Sequence, residues 1–254
     1  MITFHLPGPR VRALIVLALS AAAAPAARAD VLITNGGFDA GLAGWTRADQ
    51  LGSDGTFALQ SGTTSPVNGT TVPAPPGGTR AAMTDAQGPG SHVLYQDFVV
   101  PSFAIGSGQL QFSVFVGNRA TAFTVPSPAS LDFSTPALNQ QARVDILRGG
   151  TDPFSVSAAD VLLNAYQTNT GDPLVSGYNT VNVNLAPLLA ANQGSTLRLR
   201  FAEVDNVFTF QFGVDNVTLT ANPVPEPSSL ILCTVCTLLG IGRYGYRYLH
   251  PPRA

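Results

Sequence analysis

Apolar and polar side chains alternate with a period of two through much of the middle of the chain. Leu110, Phe112, Val114 and Val116 fall on one parity, with Gln111, Ser113 and Phe115 on the other. Ala142, Val144 and Ile146 alternate with Arg143 and Asp145, and Leu197, Leu199 and Phe201 with Arg198 and Arg200. Phe208, Phe210, Phe212 and Val214 form a further set that continues into Val217 and Leu219, and Val181, Val183 and Leu185 add another. Successive side chains of a strand point to opposite faces, so each set turns one apolar face toward a core. Several half-buried strands with turns between them predict an all-β fold, an antiparallel β-sandwich of two sheets. Residues 60–78, 121–136 and 164–177 are rich in Gly, Pro, Ser and Thr and read as loops. Two short helices are predicted: 157–165, opened by Ser157 with Asp160 three residues on, and 187–192.

Both ends break this pattern. Arg10 and Arg12 precede an apolar run over 13–19 that continues through 21–24, and Ala27 and Ala29 then precede Asp30. A basic start, an apolar stretch and an Ala-x-Ala-like site predict a signal peptide, 1–29, cleaved after Ala29. At the other end, 228–242 holds no charge. As a helix it would span about 22 Å at about 1.5 Å per residue, short of the roughly 30 Å of a bilayer core. Tyr244, Tyr246 and Tyr248 extend it as interfacial aromatics, and Arg243 and Arg247 can snorkel. The expectation is a transmembrane helix over about 228–242, with the basic tail 243–254 inside and the domain, 30–222, outside. Cys233 and Cys236 both lie in this apolar run and read as small apolar residues, which leaves the domain without a disulfide. The Pro-rich stretch 222–227 reads as a linker.

Composition narrows the chemistry. Only 11% of the residues are charged, and the net charge is −2. No electrostatic footprint for nucleic acid is present, so none is expected as a partner. Of the three histidines only His92 falls within the domain, where a surface position at a strand start is expected. There is no Gly-x-Ser-x-Gly elbow, histidine metal pair or phosphate loop, and the chain is not expected to be an enzyme. A glycoside hydrolase would need two acids across a cleft, with Asp145, Glu203 and Asp205 as candidates. Arg143 shares a strand face with Asp145, and Arg198 with Arg200, with Glu203 and Asp205 following at the strand end. If these strands are neighbours they form a charged ladder. Two readings stay open: a sugar-binding face, whose guanidinium and carboxylate groups hydrogen-bond hydroxyls, or a solvated face of paired charges. Tyr95, Tyr166 and Tyr178 are available as stacking platforms, while Trp45, the single tryptophan, is expected in the core.

Two stretches carry resemblances. "VLITNGGFDAGLAGWT" follows the predicted cleavage site, and "FQFGVDNVTL" stands near the other end of the domain. In order and placement this pair resembles the first and last strands of the galactose-binding-like jelly roll of bacterial carbohydrate-binding modules. The resemblance implies a structural calcium ion, with Asp39 and Asp215 as its carboxylates and backbone carbonyls near Gly37 completing the site. The alternative is that Asp39 caps a turn while Asp215 or Asn216 bonds a strand end. The second stretch, "VPEPSSLILCTVCTLLGIGRYGYR", resembles the PEP-CTERM sorting signal: Pro225, Glu226 and Pro227, then an apolar helix, then an arginine-bearing tail. That resemblance implies an exosortase-type membrane protease and the Sec export machinery as partners, with extracellular polysaccharide nearby. It implies an inner-membrane-anchored precursor, then the cell envelope, surface or extracellular matrix. The function expected is that of an exported, non-catalytic domain that binds polysaccharide. A purely structural or adhesion protein and a surface glycoside hydrolase are the alternatives.

Overall fold

The computed structural model describes residues 29–224; the motif Pro225–Glu226–Pro227, the apolar segment 228–242, the tail 243–254 and nearly all of the predicted signal peptide lie outside the described residues. Eleven strands and one short helix follow in the order Asp30–Val31 (β1), Thr46–Asp49 (β2), Thr56–Ser61 (β3), Arg80–Asp85 (β4), Gly90–Val99 (β5), Ile105–Asn118 (β6), Gln140–Arg148 (β7), Val161–Gln167 (β8), Asn179–Asn184 (β9), Ala186–Ala191 (α1), Thr196–Asp205 (β10) and Phe210–Pro223 (β11). The first sheet runs β3-β4-β11-β6-β9, with β1 added beside β11; the second runs β2-β5-β10-β7-β8. Every pairing is antiparallel. The fold is the predicted β-sandwich, and the period-2 sets supply its interior. Phe112, Val114, Phe212 and Leu219 from the first sheet meet Val144, Ile146, Leu199 and Phe201 from the second in one buried cluster. Trp45 joins it as expected, between Phe38 and Phe201 with ring centroids 5.5 and 5.8 Å away.

Three local expectations are corrected. Residues 157–165 do not form a helix. Asp160 closes a turn onto the Ser157 carbonyl, and Val161 begins β8, which pairs with the edge of β7. The apolar run from Val161 to Leu163 gains more by covering the sheet than a lone helical turn would. The loop expected from residue 164 therefore starts only after Gln167. The last strand also extends through Asn222 and Pro223, which pair with Ser107 and Ile105. The second predicted helix is present, shifted by one residue, with proline in its first turn.

The two sequence stretches at the domain ends meet in space. Leu32 N–H donates to the Leu219 carbonyl, and Val217 N–H to the Gly36 carbonyl at 2.9 Å. A Cβ at Gly36 would run into the Val217 carbonyl, so this close approach of two backbones requires glycine. Asn35 ties the loop shut by donating to the carbonyls of Gly41 and Ala43, both at 2.9 Å.

Candidate functional site

The charged ladder on β7 and β10 exists, but it is neither solvated nor open. The strands are neighbours, with Asp145 opposite Arg200. Arg143 donates to both Asp145 oxygens (2.8 and 2.7 Å), and Arg200 reaches Oδ2 at 2.5 Å. Arg143, Asp145, Arg198 and Arg200 are all buried. Burial pushes the Asp145 carboxyl up, but the Arg143 hydrogen bond and the Arg200 and Arg143 charges outweigh it and hold the group below the usual carboxylate range. What covers the layer is loop. Arg200 also donates to the Pro153 and Ser155 carbonyls, both at 2.7 Å, and Arg198 to the Thr151 carbonyl at 2.8 Å. Leu131, Phe133, Phe154 and Val156 pack over Val93, Ala202 and Val204 on the same face. Arg198 pairs with Asp97 and lies 3.9 Å over the Tyr95 ring, so Tyr95 is occupied. Tyr178 is likewise engaged, packed at a tilt against Phe115 and donating to Gln60 Oε1 at 2.6 Å.

Glu203 and Asp205 belong to the opposite face. They share parity with Leu197, Leu199 and Phe201 and point between the sheets at one end of the sandwich, both buried. Asp145 and Glu203 therefore lie on opposite faces of one sheet and do not flank a common cleft. Burial, reinforced by the Asp205 charge, raises the Glu203 carboxyl well above its ordinary value, and its Oε1 has no hydrogen-bond partner. Burial also pushes Asp205 up, to about 7, against the Gly90 and Phe210 N–H groups that it accepts. His92, cross-strand from Glu203, is buried, contrary to the surface position expected. Its Nδ1 lies 2.7 Å from Asp49 Oδ1 and its Nε2 3.0 Å from the Asp54 carbonyl. Both ring nitrogens face acceptors, so no hydroxyl stands where a triad nucleophile would be.

These buried groups support a cleft of about 220 Å³ at the sandwich end, lined by Gln87, Gly88, Pro89, Asn206, Val207, Phe208 and Thr209. One wall is the β10–β11 turn. Asp205 accepts the Phe210 N–H beneath it, Gln140 donates to the Phe208 carbonyl at 2.6 Å, and the Asn206 amide donates to the carbonyls of Thr135 and Ala137. The turn so held presents Phe208, 61% exposed, to solvent. The other wall is fixed by Asp54, whose Oδ2 accepts the N–H groups of Gln87 and Gly88 at 2.8 and 2.5 Å. Phe208 was expected on the apolar face of the last strand; that strand starts at Phe210, and Phe208 stands in the turn. The polar pair Asp205–Asn206, two residues before Phe208, is the sequence signal for that turn.

Asp39 and Asp215 are brought near each other where the loop 35–44 meets β11. Asp215 Oδ2 accepts the Gly77 N–H at 2.9 Å and Oδ1 the Asn216 N–H at 2.7 Å. A register shift between Asp215 and Thr218 takes Asn216, at φ 53°, out of the ladder. A Cβ on Gly78 would lie 2.5 Å from Asp39 Oδ1, and one on Gly37 3.8 Å from its Oδ2. Burial and the Asp39 charge raise Asp215 above its ordinary value. The carboxylates and the Asn216 amide oxygen are hard donors of the kind calcium takes, although calcium needs about six to eight oxygens. No group of three or more His, Cys, Asp or Glu arranged for a metal is present among the described residues.

No family model matches the chain, and no curated protein matches it significantly. Solved structures of similar fold include TmCBM61 in complex with beta-1,4-galactotriose, at 11% identity and a TM-score of 0.44, covering 75% of this chain and 97% of that one. They also include the Stig cyclase Fisc from Fischerella sp. TAU, at 18% identity and a TM-score of 0.43, covering 78% and 100%. A third is the K1 cleaved adhesin domain of Lys-gingipain from Porphyromonas gingivalis W83, at 12% identity and a TM-score of 0.38, covering 79% and 99%.

Proposed function

We propose that this chain is an exported, non-catalytic β-sandwich that binds polysaccharide through the cleft at the Phe208 end. The observation that carries this reading is an exposed aromatic ring held rigidly beside a polar wall. A pyranose ring presents C–H groups on its faces and hydroxyls around its rim. It matches an apolar ring face next to amide and backbone groups, and Phe208 and Gln87 supply these on opposite walls. Absence of catalysis is supported by His92, whose nitrogens are taken up by Asp49 and Asp54, and by Asp145 and Glu203, which face apart. Arg143, Asp145, Arg198, Arg200 and Asp205 act in this reading by holding strands and loops, not by touching the sugar, and the buried Glu203 does not line the cleft.

The rest of the reading comes from the two ends of the sequence. The leader 1–29 directs export through a Sec-type route. Pro225, Glu226 and Pro227, with the apolar segment and arginine tail, mark the chain for an exosortase-type membrane protease. The destination is the cell envelope or extracellular matrix. Asp39, Asp215, Asn216 and a carbonyl near Gly37 would hold a calcium ion, which would offset the repulsion between the two carboxylates and fix the Gly36–Val217 junction. A glycan array probed with the full-length protein, in calcium and in chelator, tests the binding reading. Retention on neutral hexose polymers is expected, and binding to no saccharide under either condition overturns it. A melting temperature that does not change between the two conditions removes the calcium ion.

A further inference from the structure

The outer face of the first sheet carries a second cleft, of about 400 Å³, within the range of about 300–1,000 Å³ usual for small-ligand sites. Gly117 on β6 and Gln211 on β11 are cross-strand partners and line it together with Phe115 and Val72. Arg119 and Val175, both exposed, also line it.

Gln211 is buried, and its orientation is fixed. Its Nε2 donates to Asp85 Oδ1 and to Thr70 Oγ1, both at 2.9 Å. Asp85 also accepts the N–H groups of Val67 and Asn68, each at 2.7 Å. Burial pushes that carboxyl up, but the bonds from Gln211, Asn68 and Val67 more than offset it and hold the group below the usual carboxylate range. Turning the Gln211 amide round would set its oxygen against an ionised carboxylate. The Oε1 atom is therefore held away from Asp85, over Gly117, where a Cβ would come within 3.2 Å of it. There it has no hydrogen-bond donor. Among the described residues the Arg119 guanidinium takes part in none of the ion pairs, and its backbone N–H donates to the Thr209 carbonyl.

Among the described residues the cleft thus sets a fixed acceptor without a donor beside a cation without an anion. Its complement is a group that bears both a hydroxyl and a carboxylate on a compact ring. We propose that this cleft binds an acidic sugar residue of the uronate class, its carboxylate paired with the Arg119 fork and one hydroxyl donated to Gln211 Oε1. Guanidinium is suited to this because it meets a carboxylate with two parallel N–H bonds. Phe115 and Val72 give the ring an apolar floor. The inference rests on the polysaccharide-binding reading and names the residue class that the second cleft selects.

Calorimetry of the full-length protein with a galacturonate trisaccharide, its methyl ester and a neutral galactose trisaccharide tests it. Three variants accompany the native protein: Arg119→Ala, Val175→Trp, which plugs the cleft from an exposed position, and Phe208→Ala at the other cleft. Galacturonate binding is expected to weaken at least tenfold in Arg119→Ala and Val175→Trp and upon methyl esterification, and to persist in Phe208→Ala. Galacturonate affinity unchanged by Arg119→Ala and Val175→Trp overturns the uronate cleft. If the neutral trisaccharide still binds and is lost in Phe208→Ala, the broader reading stands without it. Failure of every saccharide, charged or neutral, removes both.

Discussion

Glu203 sits on the core face of β10 with its Oε1 unpartnered, and Asp205, two residues on, shares that face close to His92 and Asp54. Burial raises both carboxyls, Glu203 well above its ordinary value and Asp205 to about 7. A carboxyl with a folded pKa above its unfolded value holds its proton more tightly in the folded state. Its stabilisation is complete below about pH 4 and is lost as pH rises through the folded pKa. Asp205 should make the unfolding free energy fall between about pH 4 and about pH 7 with a slope approaching about 1.4 kcal/mol per pH unit, and Glu203 acts in the same direction. Denaturant titrations read this slope. Glu203→Gln and Asp205→Asn should flatten it, and a native protein whose stability is level across that range contradicts the assignment. The opposite group, Asp49, Asp85 and Asp145, has lowered pKa values and acts only in a more acidic window. Glu203 and Asp205 were expected in the charged ladder with the arginines, although their parity is that of Leu197, Leu199 and Phe201 and places them inward. That Phe208 faces outward was not legible in the sequence, because its parity continues into Phe210 and Phe212 and only the register of β11 excludes it.

The elements show why alternation found the sheets and missed what covers them. Period-2 sets on β6, β7, β9, β10 and β11 placed their apolar faces correctly, because that face is decided by burial alone. The other face of β7 and β10 read as a sugar-binding or a solvated surface, because Arg143, Asp145, Arg198 and Arg200 are charged. Its cover comes from 130–134 and 151–156, the segments that flank β7 on either side, and a period-2 pattern within the strands says nothing of how such loops fold back over them. Asp145 is the shared acceptor of Arg143, Arg200 and Asn164. Asp145→Ala should therefore destabilise the domain by about 3–5 kcal/mol, since it leaves buried cations unpaired. A shift of the denaturation midpoint near zero would mean the loops do not seal that layer. The junction of the first loop with β11 depends on a close approach of backbones. Gly36→Ala should cost about 1–3 kcal/mol, as overpacking at a site that cannot relax usually does. A variant as stable as the native protein would show that the Gly36–Val217 bond is dispensable. The helix expected over 157–165 illustrates the reverse error: Ser157 and Asp160 serve a turn as readily as a helix cap, and the edge of β7 decided between them.

At the scale of the molecule, residues 29–223 form one compact unit, and the two sequence ends beyond it carry the expectations about export. If those are right, protein recovered from the cell surface begins at Asp30 and lacks the arginine tail 243–254; intact mass of the recovered protein checks both ends, and a full-length mass on surface material contradicts both. Alternation pointed to the charged face of β7 and β10 as a sugar-binding surface, and the four residues Arg143, Asp145, Arg198 and Arg200 of that face are buried. The two clefts arise where turns and loops from distant parts of the chain converge, at 87–89 with 206–209 and at 71–73 with 175. The central claim is that the sandwich holds polysaccharide at Phe208 without cutting it. Affinity electrophoresis of the full-length native protein and Phe208→Ala, in gels cast with a neutral galactan, tests it most directly. The account predicts retardation of the native protein, loss of most of that retardation in the variant, and no release of reducing sugar from the gel polysaccharide. Equal mobility of the two proteins with and without polysaccharide, or release of reducing sugar by the native protein, would contradict it.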